Sequence, residues 1–316
     1  MLDPQARALL ELMAERGVPA VHTLSPVEAR RAYRDRRGFT QPDATPVGSV
    51  ESLSFAGPRG PVGVRLYRPP GASASLPGPA LLYFHGGGWT IGDLDTHDVL
   101  CRQLCARAGI VVLSVDYALA PEQRFPAAAD DAAAAWRWLQ GAAPSLGVDR
   151  GRIAVGGDSA GATLSAGLAL AVRDTGAADQ ALPAFQLLIY PAADMRHDAP
   201  SHRSNGQGYL LTADSLAYYR SHYLADLSQW TDWRASPLLA PDLSGLPPAL
   251  VLTAGFDPLR DEGRQYADAL SAAGNAVQYV CFERQIHGFI TMGRVIDEAH
   301  TAVDLCAAVL RRTLAA

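Results

Sequence analysis

Two kinds of stretch alternate along this chain. Short, nearly unbroken apolar runs at residues 80–84, 110–115, 152–156, 184–189, 249–254 and 276–282 are separated by longer segments with helical periodicity at 96–108, 127–140, 162–172, 263–273 and 294–310. Runs that stay apolar on both faces belong to strands buried on both sides, and helices between them imply a parallel sheet covered above and below. The fold class predicted is α/β. Ahead of this rhythm, residues 53–55 and 62–67 predict two antiparallel opening strands, and 71–79 an exposed loop.

Two regions depart from the pattern. Residues 1 to about 40 are helical in character: Leu9, Leu10, Leu12 and Met13 cluster on one face, and Ser25-Pro26-Val27-Glu28 has the capping-box spacing that starts a second helix. Residues 41–48, rich in Pro, Thr and Gly, predict a linker. The stretch 192–233 holds Met195, Tyr209, Leu210, Tyr218, Tyr219, Tyr223, Trp230 and Trp233 without a clear strand, which predicts an insertion above the sheet, packed with the N-terminal helices. The expected division is 1–50 and 192–233 for this covering layer, and 51–191 with 234–316 for the two parts of the core.

Composition narrows the partners. At 316 residues and 48% hydrophobic content the chain supports one large core with an insertion. A net charge of -5 without a Lys/Arg run offers no surface for nucleic acid. The N-terminus shows no positive leader with an apolar core, and no apolar run approaches a bilayer span, so the expected location is cytoplasmic. Cys101, Cys105, Cys281 and Cys306 form no C-x-x-C pair and predict buried small hydrophobes rather than disulfides or metal ligands. A monomer or homodimer is expected.

Ligands of parallel sheets bind beyond the carboxyl ends of the strands, so those ends are where chemistry is sought. After the strand at 152–156 comes Gly157-Asp158-Ser159-Ala160-Gly161, then a helix. A strand reversing into a helix within a few residues strains its middle residue and needs small neighbours, here Gly157 and Gly161, and this exposes the Ser159 hydroxyl at a helix N-terminus. The run Gly156 to Thr163 also approaches phosphate-loop spacing, but Ala162 stands where the lysine is required. Phe84 leads into His85-Gly86-Gly87-Gly88-Trp89, where consecutive glycines let backbone amides approach a developing oxyanion, worth roughly 3 kcal/mol per donor. Asp257 follows the strand at 249–254, while Asp261 and Glu262 are read as caps of the next helix. His287 follows the last strand; His22, His97, His197, His202, His222 and His300 are read as structural or exposed.

Ser159, Asp257 and His287 thus occur in the order nucleophile, acid, base, each past a strand of one sheet. His287 would take the Ser159 proton and return it to the leaving group, Asp257 would fix the imidazole, and the N–H groups of Gly87, Gly88 and Ala160 would hold the oxyanion. Asp158 is not expected to be the triad acid.

On His85-Gly86-Gly87-Gly88-Trp89, Gly157-Asp158-Ser159-Ala160-Gly161, Asp257-Pro258-Leu259-Arg260-Asp261-Glu262 and His287-Gly288-Phe289 the chain resembles the hormone-sensitive-lipase-like (bacterial family IV) esterases of the α/β-hydrolase superfamily, over nearly its whole length. It departs from their pattern at Ala118, where Arg is more frequent, and at Ala162-Thr163, where Gly-Asn is. The resemblance implies a helical cap, a Ser-His-Asp mechanism, no metal or cofactor, and a small-molecule ester of short to medium acyl chain as substrate. Trp89, Asp158, Tyr190, Tyr209, Leu210 and Phe289 are the residues expected to shape its pocket. An amidase or formamidase with the same triad is the alternative within hydrolases; a non-catalytic ligand-binding relative is the alternative outside them, and such relatives are expected to lack the base that His287 supplies.

Overall fold

The computed structural model describes residues 1–71, 77–176 and 181–315. Most of the loop expected at 71–79 therefore lies outside the described residues. The sheet has eight strands, β1 (Ser49–Gly57), β2 (Gly60–Arg68), β3 (Gly78–Phe84), β4 (Val111–Asp116), β5 (Val148–Asp158), β6 (Phe185–Ile189), β7 (Ala249–Phe256) and β8 (Val277–Ile286), in the order β1-β2-β4-β3-β5-β6-β7-β8. β2 runs antiparallel to both β1 and β4, and every other pairing is parallel. The central strands are the continuous apolar runs of the sequence.

Alternation along each strand divides those apolar residues between two layers. Leu82, Phe84, Leu113, Val115, Ile153 and Val155 face α4 (Ala127–Ala142) and α5 (Ala160–Thr175), while Leu81, Tyr83, Val112 and Ala154 face α3 (Asp98–Ala108) and α9 (Glu298–Leu314). A third cluster packs α8 (Arg260–Ala272) and α5 over β6 and β7 through Ala166, Leu188, Val251, Tyr266 and Leu270. Cys101, Cys105 and Cys306 are buried in the α3–α9 layer as small apolar residues, whereas Cys281 on β8 is half-exposed.

Before the sheet, α1 (Pro4–Glu15) is capped by Asp3, whose carboxylate accepts from Gln5 N and Ala6 N at 2.8 and 3.3 Å. α2 (Pro26–Thr40) begins with the predicted Ser25–Glu28 capping box. The apolar face of α1 is narrower than expected: Ala6 and Leu9 are buried and Leu10 and Met13 pack partly buried against the core, but Leu12 stays 47% exposed. Several helix ends also shift. α8 starts at Arg260, three residues earlier than its periodicity suggests. α9 starts at Glu298 rather than 294, because Arg294 closes onto the end of α2, donating to Gln41 O at 2.7 Å while its own N–H donates to Thr40 O at 3.0 Å. Between β6 and β7 the chain makes α6 (Pro200–Ser204), α7 (Ala213–Tyr223) and short 3-10 turns, with no strand among the described residues.

Candidate active site

β5 enters α5 through Ser159, which holds φ 54° and ψ -122° and whose N–H donates to Ile189 O at 2.8 Å. A side chain at φ > 0 is strained, and the surroundings must enforce it. Glycine does so here: a Cβ on Gly157 or Gly161 would collide with the carbonyl of Phe84, so α5 presses directly on the end of β3. Ser159 is left half-buried with its hydroxyl 3.0 Å from His287 Nε2. His287 Nδ1 lies 2.6 Å from Asp257 Oδ2, and Asp257 is fully buried, its other oxygen accepting from Leu259 N at 2.8 Å. The tertiary fold thus brings the three predicted residues into one hydrogen-bonded line across the ends of β5, β7 and β8. Asp261 and Glu262 lie in the first turn of α8 as expected, but neither caps an amide of that helix; Asp261 pairs with Arg260 at 2.7 Å and Glu262 turns away from it altogether.

Next to Ser159, the glycine loop is held in left-handed backbone, with φ 126° at Gly87 and 56° at Gly88. Among the described residues no acceptor is found for the N–H groups of Gly87, Gly88 or Ala160. A Cβ on Gly88 would enter the ring of Tyr219, so α7 lies directly over this loop. The loop is fixed from below by Asp158, whose Oδ1 accepts from Tyr83 OH at 2.7 Å and Gly86 N at 2.9 Å and whose Oδ2 accepts from His97 Nε2 at 3.3 Å. Burial pushes the Asp158 carboxyl up, but the adjacent His97 and these hydrogen bonds outweigh it and hold the group below the usual carboxylate range. His85 is driven the other way, down to about 4, by burial and by the neighbouring His97, so it is neutral. Its Nδ1–H donates to Gly86 O at 2.8 Å and its ring stacks on Tyr117 at 4.3 Å.

The pocket residues expected from the sequence separate into two groups. Asp158 corrects that expectation: at 3% exposure its carboxylate is consumed by Tyr83, Gly86 and His97 and is not offered to a ligand. Trp89 is likewise occupied, stacked flat on Tyr223 of α7 with ring centroids 4.3 Å apart. Tyr190 backs His287, with ring centroids 4.5 Å apart, and Phe289 packs behind Tyr190 and against Phe282. Tyr209 and Leu210 are half-buried; Tyr209 packs on Phe256 beside a surface cleft of about 550 Å³ whose walls also include Leu2, Arg7 and Leu10, and which does not reach Ser159 or His287. Sequence reading placed His97 among the structural or exposed histidines and Tyr219 in the insertion, without assigning either to the site. His97 gives no local signal because its partner is 61 positions away.

A half-buried serine on a strained strand-to-helix turn, bonded to a histidine and a buried aspartate beyond parallel strands, is a hydrolase site of the α/β type. Residues 81–291 match the α/β-hydrolase fold family, and the chain belongs to it. Among curated relatives, the chain is 40% identical to an ethyl acetate hydrolase of Pseudomonas putida over 99% of both chains. It is 44% identical to the carboxylic ester hydrolase LipN of Mycobacterium tuberculosis, covering 92% of this chain and 77% of that one. Among solved structures, an ester-hydrolase from the metagenome of Lake Arreo, in complex with a derivative of bipyridine phosphonate, aligns over 100% of both chains with TM-score 0.95 at 44% identity. A hyperthermophilic esterase from Pyrobaculum calidifontis aligns over 100% of this chain and 99% of that one with TM-score 0.92 at 37% identity. With these relatives the chain falls among the hormone-sensitive-lipase-like carboxylesterases.

Proposed function

We propose that the protein hydrolyses carboxylic esters of short to medium acyl chain through an acyl-serine intermediate. The observation that carries this reading is the line Ser159 Oγ–His287 Nε2–Asp257, at 3.0 and 2.6 Å. His287 Nε2 removes the proton as Ser159 Oγ attacks the ester carbonyl, and Asp257 stabilises the imidazolium while keeping Nδ1 protonated. Negative charge on the carbonyl oxygen is taken by the N–H groups of Gly87, Gly88 and Ala160, preorganised by the left-handed loop and the start of α5. Collapse of the tetrahedral adduct expels the alcohol, which receives the proton from His287. Water, deprotonated by the same nitrogen, then attacks the acyl carbonyl, and the second collapse releases the acid and restores Ser159.

The limit on acyl length rests on how closely the site is roofed, with Tyr219 against Gly88 and Leu210 close to Gly288. In this reading residues 1–50 and 192–233 form the cap that shapes the acyl pocket. The test is hydrolysis of p-nitrophenyl acetate, butyrate, octanoate and palmitate beside a matched anilide series, with Ser159→Ala as control. Expected are turnover of the short esters and loss of it in the variant. Equal rates for wild type and Ser159→Ala would refute the mechanism, a preference for palmitate would refute the short pocket, and faster anilide turnover would make the enzyme an amidase.

A further inference from the structure

The segment after β7 that carries Asp257 is held by the β6–β7 insertion, through three buried polar residues on or just after α6. Ser201 Oγ donates to Pro258 O at 2.6 Å and accepts from Asp261 N at 3.1 Å. Asn205 Nδ2 donates to Gly255 O at 3.1 Å and to Asp257 O at 3.2 Å, the carbonyls on either side of the Asp257 turn. His202 Nε2 lies 2.5 Å from Glu262 Oε2, while Glu262 Oε1 accepts from Ala193 N and Asp194 N at 2.8 and 3.3 Å. Ser201, His202, Asn205, Asp257 and Glu262 are all at or below 9% exposure. Good reason exists for the chain to need this support. The β7–β8 register shifts between Ala254 and Phe256, so the sheet ladder stops being regular two residues before Asp257. Gly255 is pressed so closely on the Glu283 backbone that a Cβ would collide with it, and its carbonyl is taken up by Asn205 and by Arg260 Nη1 at 3.2 Å.

We propose that Asn205, supported by Ser201, is a positioning residue for the triad acid, so that the insertion fixes Asp257, and through it His287, as well as roofing the site. The proposal rests on the Ser-His-Asp reading given above. Neither side chain reaches the reacting atoms: both act by fixing the carbonyls and amides of residues 255–261, which aim the Asp257 carboxylate at His287 Nδ1. Losing the amide of Asn205 leaves the Gly255 carbonyl with Arg260 Nη1 and the Asp257 carbonyl with Arg260 N–H, each at 3.2 Å, so the turn is held less tightly and relaxes. A displaced acid weakens chemistry while leaving ester binding to the glycine loop and the roof, so the effect falls on kcat and not on KM.

The experiment measures kcat and KM for p-nitrophenyl acetate on the full chain carrying Asn205→Ala or Ser201→Ala, each alone and combined with Asp257→Ala, beside Ser159→Ala. The expected result for Asn205→Ala alone is a kcat loss of about 10- to 100-fold with KM within about threefold, and for Ser201→Ala a smaller loss of the same kind. In the Asp257→Ala background both losses shrink to within about twofold, because a residue acting only through Asp257 has nothing left to position. The low-field proton of the His287–Asp257 hydrogen bond, followed by NMR, should weaken or shift in Asn205→Ala. Wild-type kcat in both single variants overturns the proposal, as does an equal fold-loss with and without Asp257. Where Asn205→Ala does not fold, Ser201→Ala in the two backgrounds decides by the same criteria. Full activity in Ser159→Ala would instead sink the triad reading itself, whatever the Asn205 variants do.

Discussion

Replacing Asp158 by Ala should damage the protein more than its distance from the Ser159–His287 bond suggests. Three buried donors point at its carboxylate: Tyr83 OH, Gly86 N–H and His97 Nε2–H. None has solvent to turn to, since Tyr83 and His97 are each 0% exposed. Stranding a buried donor costs about 1–3 kcal/mol, so the three together imply a stability loss of about 3–6 kcal/mol once some relaxation is allowed. That is a large share of the roughly 5–15 kcal/mol that keeps a domain folded. Asp158→Asn retains an oxygen for Tyr83 and Gly86 and should lose only about 1–3 kcal/mol. Because Gly86 opens the glycine loop, kcat for p-nitrophenyl acetate should also fall, by about 10- to 100-fold in the alanine variant, equivalent to about 1.4–2.8 kcal/mol of barrier. Urea unfolding of the two variants, paired with initial rates, measures both effects. If Asp158→Ala unfolds within about 1 kcal/mol of wild type, the carboxylate is not the clasp between the Ser159 turn and the glycine loop, and the reasoning is wrong.

The same carboxyl gives a pH signature. Its folded-state pKa is depressed, so it stabilises the fold above the unfolded value of 3.8 and that contribution is lost as pH falls through the lower folded value; acid unfolding of Asp158→Asn, followed by circular dichroism, should therefore show a shallower dependence below about pH 4. Glu262 has the opposite sign: burial, partly offset by His202, pushes it up to about 7, so stability falls as pH rises from 4.5 through that value, and Glu262→Gln should flatten the slope of urea stability between about pH 5 and 7. Gly161→Ala sets a Cβ against the Phe84 and His85 carbonyls, backbone that has no room to yield, and should lower urea stability by about 3 kcal/mol or more together with activity. Asp257→Asn keeps the shape of the site but offers His287 Nδ1–H a weaker and wrongly polarised partner, and kcat should drop on the order of 10³–10⁴-fold with a small change in KM.

Much of this molecule could be read along the chain because its information is local. Continuous apolar runs specify strands buried on both faces, and the eight-stranded, mostly parallel sheet follows from helices lying between them. Gly157 and Gly161 mark the Ser159 turn because only residues without a Cβ allow α5 to touch the end of β3. The order Ser159, Asp257, His287 is legible for the same reason: each is the first residue past a strand. What the sequence could not supply is the pairing of distant polar groups outside the Ser159–His287–Asp257 line. Asp158 reads as a pocket residue beside Ser159, and only the tertiary structure gives it Tyr83 and His97. Trp89 and Phe289 read as pocket walls, yet the fold uses them to stack on Tyr223 and to back Tyr190. Glu262 reads as a helix cap and is instead bound to His202, 60 residues earlier. Hydrophobic period and glycine placement are properties of neighbouring residues and survive in one dimension; the partner of a buried charge is set by which elements the folded core brings face to face.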